Sequence, residues 1–459
     1  MIARLNLALS LFVGCLCAAP HSVAVRNVTV VDVGRGVLLP GRTIVVRGEL
    51  IEAVAVNVPS DAVIVDGTGK FAIPGLWDMH VHLWFEHHQF PRYLANGVTG
   101  VRDMGSDFRR VGGWRKNVEA GVLLGPHVET CGSPLDGVAS GDAKLPSQVI
   151  LTPDEARQAC DRLDAQGVDF IKVLSQLPRE AYFALLERAR KWRVPVAGHV
   201  PYSVSVDEAI DARQRSMEHL FGVLLACSRD EAKLHKALLA NPDATEYRNI
   251  EIKIMDTYSE QKAAALFQRM SRFDTWQVPT LTMYRRGPMT TGAAKRQYAL
   301  IEQIVKHMQR AGVPMMAGTD TGDPGTRPGD ELHRELELLV DAGLTPLEAL
   351  RSATLAPARY LDALDSLGSI EKGKLADIVL LDANPLEDIR NTRKIAGVFV
   401  RGRFLSKEWL DAEAAREASI EPGLLERACS QPLNTVLPSP ECVAGVIVKD
   451  PGGSRVVKR

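Results

Sequence analysis

The sequence predicts an α/β fold: a (β/α)8 TIM barrel with a small β-sandwich domain built from both chain ends. Three observations predict it. Eight strand-like runs alternate with helical segments through the middle of the chain. Short β-rich stretches punctuated by glycine flank that middle on both sides. No Gly-x-Gly-x-x-Gly follows the first central strand, so the rival open dinucleotide-binding sheet loses support. The expected division is a leader at 1–24, sandwich at 25–73, barrel at 74–364, sandwich again at 365–409 and a tail at 410–459.

The chain opens with Arg4 ahead of an apolar run, and Ser22-Val23-Ala24 resembles a small-residue cleavage site. That pattern predicts a signal peptide and an exported protein, periplasmic or secreted. Phe12-Val13-Gly14-Cys15 is a poor lipoprotein site, because Phe stands where an aliphatic residue is usual. A lipid anchor therefore ranks below a free exported form. No later segment is apolar enough to span a bilayer, so no transmembrane anchor is expected after leader removal. The formal charge of -1 gives no electrostatic case for nucleic acid or anionic membrane.

The first sandwich part shows the runs Val28-Thr29-Val30-Val31, Thr43-Ile44-Val45-Val46 and Leu50-Ile51-Glu52-Ala53-Val54. The second shows Ala376-Asp377-Ile378-Val379-Leu380-Leu381 and Ile395-Ala396-Gly397-Val398-Phe399-Val400. Between them the barrel strands are expected at 76–83, 97–104, 127–132, 170–174, 194–200, 216–220, 276–283 and 313–320. Thr152-Pro153-Asp154-Glu155 and Thr345-Pro346-Leu347-Glu348 read as capping boxes with Pro at the first helical position. Among seven cysteines there is no Cys-x-x-Cys, which disfavours a thiolate zinc site. Cys131, Cys160 and Cys227 read as small core residues, and Cys429 could pair with Cys442 in an oxidising compartment.

In such barrels the chemistry sits at the C-terminal ends of the strands. His80 and His82 end the first strand and share a face by alternation. Two adjacent imidazoles make a transition-metal site or a satisfied core pair, and the motif alone does not decide. The later strand ends add Lys172, His199, His219 and Asp320. Lys172, between Ile171 and Val173, is costly to bury as a cation. It snorkels to the mouth, pairs with a carboxylate, or loses its charge. A neutral lysine can add carbon dioxide and become an anionic carbamate.

These strand-end residues, in this order, resemble the amidohydrolase superfamily, in its imidazolonepropionase-like branch with prolidase-like metal-dependent hydrolases. Supporting stretches include Ala72-Ile73-Pro74-Gly75-Leu76-Trp77-Asp78 and Gly368-Ser369-Ile370-Glu371-Lys372-Gly373-Lys374-Leu375-Ala376-Asp377. The resemblance implies two divalent metal ions, zinc by default, with manganese or cobalt as other fits. His80, His82 and Asp320 would hold one ion and His199 with His219 the other. Lys172, carboxylated by carbon dioxide, would bridge them. Asp320 would be the catalytic acid and base. The implied reaction is hydrolysis of an amide in a dipeptide or N-acyl amino acid. The family often assembles, so a homo-oligomer is an open expectation.

Three further residues are candidate substrate contacts: Tyr202 in His-Val-Pro-Tyr, Arg102 as a clasp for a carboxylate, and His333 just after the eighth strand. The Tyr202 spacing departs from the commoner His-x-Tyr; the alternative for His333 is a plain helix-face histidine, and for Arg102 a pair with Asp103 or Asp107. His87 and His88 read as lid or solvated positions, and His127, His235 and His307 as structural. Rival functions are hydrolysis of a cyclic amide, lactone or phosphotriester on the same site. A non-catalytic metal-dependent scaffold is the rival of another class. The loops that would set specificity, 134–146 and 283–291, carry no readable code.

Overall fold

The computed structural model describes residues 22–55, 62–84, 89–139, 147–240, 244–286, 290–323 and 325–418. Nearly all of the expected leader, His87, His88, Cys429, Cys442 and most of the expected tail lie outside the described residues.

Three antiparallel strands open the fold: β1 (Val23–Asp32), β2 (Val37–Arg47) and β3 (Leu50–Ala55). β1 begins two residues before the expected sandwich boundary at 25, with Ala24 fully buried. β4 (Val63–Asp66) and β5 (Phe71–Pro74) run parallel to β1, β4 beside its first half and β5 beside its second.

The chain then enters the barrel with β6 (Leu76–Val81), β7 (Val98–Asp103) and β8 (His127–Thr130). A short pair, β9 (Leu135–Asp136) and β10 (Gln148–Val149), follows and was not foreseen. β11 (Ile171–Val173), β12 (Val196–Gly198), β13 (Ser216–Glu218) and β14 (Trp276–Val278) continue in parallel register. The expected strand at 276–283 stops at Val278. Pro279 has no amide hydrogen to extend the ladder, Thr280 is left-handed (φ 49°), and a helix starts at Leu281.

The eighth stave, 313–321, closes the barrel through single backbone bonds rather than a ladder. Gln277 N donates to Pro314 O on one side, and Met79 N to Ala317 O on the other. Asp320 N and Thr319 N both donate to His80 O. Elsewhere Asp169 N donates to Thr130 O and links β8 to the β11 stave. Helices pack outside. Pro153–Gln166 and Pro346–Ser352 carry the two capping boxes where the sequence placed them.

β15 (Ile378–Leu381), β16 (Ile395–Val400) and β17 (Arg403–Ser406) complete the first sheet. β15 lies antiparallel to β5, with Val379 opposite Ile73, so the two ends of the fold share one sheet. Val25, Val28, Ile44, Ile51, Ile378 and Phe399 form its common core. A polar clamp ties this sheet to the barrel. His127 Nε2 lies 2.6 Å from Asp377 Oδ2, the His127 ring stacks on Trp77, and Arg401 reaches His127 Nδ1. His127 is therefore structural, as expected. Cys131, Cys160 and Cys227 are buried free thiols, also as expected.

Candidate metal centre

Strand ends bring the six expected residues toward one place. His80 Nε2 and His82 Nε2 each lie 3.3 Å from Asp320 Oδ1. The His219 ring sits 4.4 Å from the His80 ring and 5.3 Å from the His199 ring. Among the described residues, His80, His219 and Asp320 present ligand atoms that all lie within 4.8 Å of one another. Lys172 is 2% exposed. Burial lowers its ammonium pKa, against the pull of Asp320. Its charge is felt by His82, His199 and His219.

The backbone is bent to make this meeting possible. Strand alternation sends neighbouring side chains to opposite faces, yet Glu218 and His219 both reach His80. His219 does so because it leaves the strand in the left-handed region, at φ 59°. Asp320 is left-handed too, at φ 60°, a conformation Asp tolerates better than most residues. Beside it, Gly318 passes so close to β6 that an added Cβ would stand 2.8 Å from His80 Cβ. Left-handed non-glycine residues cost about 1–3 kcal/mol each and collect where a site over-determines them.

Each imidazole has its Nδ1 engaged. His80 Nδ1 meets Glu218 Oε2 at 2.9 Å and His82 Nδ1 meets Gly105 O at 3.2 Å. His199 Nδ1 meets Ser175 Oγ at 2.7 Å and His219 Nδ1 meets Thr280 Oγ1 at 2.8 Å. The Nε2 atoms are thereby left to converge, and His80 Nε2 is buried with no hydrogen-bond partner. A buried nitrogen without a hydrogen-bond partner, facing a carboxylate, has the character of a metal-ligand atom. Burial also holds His199 and His219 well below the ordinary imidazole pKa, so both are neutral and have lone pairs to give. Burial works against ionisation of Asp320, but His219, His80 and His82 outweigh it and keep the carboxylate charged. The residues fit a centre for divalent ions.

Several contributors escaped the sequence reading. Glu218 is fully buried between His80 and Arg102, whose Nη2 donates to Glu218 Oε1 at 2.8 Å. Burial pushes its pKa up, yet Arg102 and His80 win and bring it to about 2. Asp78 accepts from Thr319 N and Oγ1, tying β6 to the eighth stave. Asp103 accepts from Leu83 N, Ser106 and Thr130, and the Tyr284 hydroxyl donates to His219 O. A signal for Glu218 existed: a carboxylate inside a barrel strand needs a buried partner.

The three expected substrate contacts fare differently. Arg102 is fully buried, and its guanidinium donates to Met79 O, Ser216, Tyr360 and Glu218. A clasp on a substrate carboxylate is thus corrected to an internal ion pair, with Glu218 rather than Asp103 or Asp107. His333 is buried in the helix Asp330–Asp341 with its Nδ1 on Thr392, facing the short helix Ile389–Arg393 rather than the imidazole cluster. Tyr202 is half-buried just past β12, packs on Leu234, Leu238 and Ile250, and its phenol meets Tyr247. Two aromatic rings flank the imidazoles. Trp84 stacks on His82 at 4.4 Å, and Phe221 stands edge-on to His199 at 4.6 Å.

Comparison with known proteins agrees with this geometry. Residues 71–405 match the model of the amidohydrolase family. The chain is 24% identical to ochratoxinase from Aspergillus niger over 417 residues, covering 76% of each protein. A structure from Bifidobacterium longum described as a candidate prolidase is 26% identical, with a TM-score of 0.65, over 87% of this chain and 99% of that one. A Xaa-Pro dipeptidase with bound methionine, 20% identical, shares the fold at a TM-score of 0.63 over 84% of this chain and all of that one. With a family match that runs from β5 through the barrel into β17, over more than half of the chain, the chain belongs to the amidohydrolase family.

Proposed function

We propose that the protein is an exported, binuclear metal-dependent amidohydrolase that cleaves the amide bond of a dipeptide or N-acyl amino acid. The observation that carries this is the convergence of His80 and His82 Nε2 on one oxygen of Asp320 while every Nδ1 is engaged elsewhere. His80, His82 and Asp320 would hold one ion and His199 with His219 the other, with zinc the default. When bound, the ions supply Lewis acidity, lowering the pKa of a water and polarising the scissile carbonyl.

The chain's own groups do the rest. Burial lowers the ammonium pKa of Lys172, which favours the free amine that would add carbon dioxide. A nitrogen–carbon bond would form, one N–H proton would leave to solvent, and the resulting carbamate would offer the ions two oxygens that share one negative charge. Asp320, ionised beside three histidines, accepts the proton of the attacking water and passes it to the leaving nitrogen. Trp84 and Phe221 wall the imidazoles on two sides and exclude bulk water there. Tyr202, beyond β12, is the residue proposed to touch substrate. The apolar run ahead of Ser22 supports export.

The test is a library of dipeptides and N-acyl amino acids offered to zinc-loaded, full-length protein, with amine release as the signal. Turnover of one member supports the reading. Turnover confined to lactone or phosphotriester probes would move the assignment to those substrates. A chain that takes up metal but turns over no probe would leave the scaffold role, and one that takes up no metal would end the catalytic reading.

A further inference from the structure

We infer that Glu218 is the positioning residue of the first metal position, and that it makes the His80, His82 and Asp320 position the tighter of the two. This rests on the two-ion reading above.

The partners of the four Nδ1 atoms are of different kinds. His80 faces a carboxylate at 2.9 Å, and His82 faces the Gly105 carbonyl at 3.2 Å. Both partners only accept. Nδ1 must carry the hydrogen in each ring, so each Nε2 keeps its lone pair for a ligand. His199 and His219 face hydroxyls, Ser175 at 2.7 Å and Thr280 at 2.8 Å. A hydroxyl can donate or accept, and it carries no charge to strengthen the ring as a donor. The Thr280 hydroxyl donates its hydrogen to Pro279 O at 2.8 Å, so it accepts from His219 Nδ1 as an uncharged partner.

Glu218 is also held in place. Arg102 donates to its Oε1 at 2.8 Å and Ser216 Oγ to the same atom at 2.6 Å, which leaves Oε2 for His80. Arg102 is anchored in turn by Met79 O at 2.7 Å and the Tyr360 hydroxyl at 3.0 Å. The chain Arg102–Glu218–His80 is buried along its whole length. Carboxylate partners of this kind raise ligand basicity, and their loss typically costs about 10–100-fold in metal affinity.

The experiment strips the full-length protein with a chelator and titrates cobalt(II) by calorimetry, with bound metal counted by elemental analysis. Two steps separated by about tenfold or more are expected. Glu218→Gln weakens the tight step by about 10–100-fold and spares the loose one. Thr280→Val weakens only the loose step. Coincident steps in the unmodified protein would overturn the inference while leaving two ions intact, and so would equal loss of both steps in Glu218→Gln. Uptake of one ion or none would sink the two-ion reading itself. Should Glu218→Gln fail to fold, the unmodified titration and Thr280→Val decide: loss of the tight step in Thr280→Val overturns the proposal.

Discussion

Glu218 and His80 form a hydrogen bond of 2.9 Å between two fully buried side chains that stand 138 positions apart in the chain. The bond spans two barrel strands, β13 and β6, and joins the interior ion pair to the candidate metal centre. Burying a carboxylate is expensive unless it is paired and hydrogen-bonded. Here Arg102, Ser216 and His80 all meet that need. The centre therefore stands on a polar network beneath it as well as on its strand ends.

Arg102 tests that dependence. Arg102→Met removes the positive end and strands an ionised Glu218 in the interior. Breaking a buried pair this way costs about 3–5 kcal/mol, so denaturant midpoints should fall by a corresponding amount. KM ratios between substrates with and without a free carboxylate should stay unchanged. A selective rise for carboxylate substrates would restore the clasp that the burial of Arg102 argues against.

Asp320 is the group assigned both a ligand and a proton-transfer role. Asp320→Asn keeps size and shape but cannot take a proton. Amide hydrolysis should fall by about 10²–10⁴-fold, the usual worth of general acid–base catalysis, or below detection if the ion is also lost. Circular dichroism should remain that of the parent. Full activity on every cleaved substrate would remove Asp320 from the mechanism.

Much of this centre was legible in the sequence because ionisable residues at barrel strand ends have few other reasons to exist. His80, His82, Lys172, His199, His219 and Asp320 could be named without coordinates. What could not be read was which buried charge answers which. Arg102 finds Glu218, not its sequence neighbours Asp103 and Asp107, because the barrel places β7 and β13 side chains in one interior. The end of β14 was misread for a local reason: apolar and β-prone residues alternate through 276–283, and only Pro279 marks the stop. His333 follows a strand end in sequence but turns with its helix toward Thr392. Proximity along the chain does not fix the face a helix presents.

His333 gives a pH signature independent of the metal. Burial, and then the charge of Arg393, lower its pKa from 6.5 to about 4. Between those values the unfolded chain binds a proton that the folded chain refuses. Stability is thus intact above pH 6.5 and declines as pH falls toward 4, by about 3 kcal/mol from this residue. His333→Gln cannot take that proton, so its loss of stability over the same window should be smaller by about that amount. Equal losses of unfolding free energy between pH 7 and pH 4 in urea titrations of the two proteins would show that His333 is not buried neutral.

Phe221 and Trp84 bear on specificity. Their rings pack on His199 and His82, and both are only half-buried, so each has surface left at the mouth of the site. An apolar acyl or amine group seated on such a ring loses water contact and gains dispersion. Burying about one ring face is worth about 1–2 kcal/mol, or roughly tenfold in binding. Phe221→Ala should therefore raise KM about tenfold for substrates with a bulky apolar group while leaving small, polar substrates within about twofold. The control is metal content, which should not change because His199 keeps its bond to Ser175. A uniform drop in kcat across all substrates would mean that the ring holds His199 in place rather than the substrate, and the specificity role would pass to Trp84 alone.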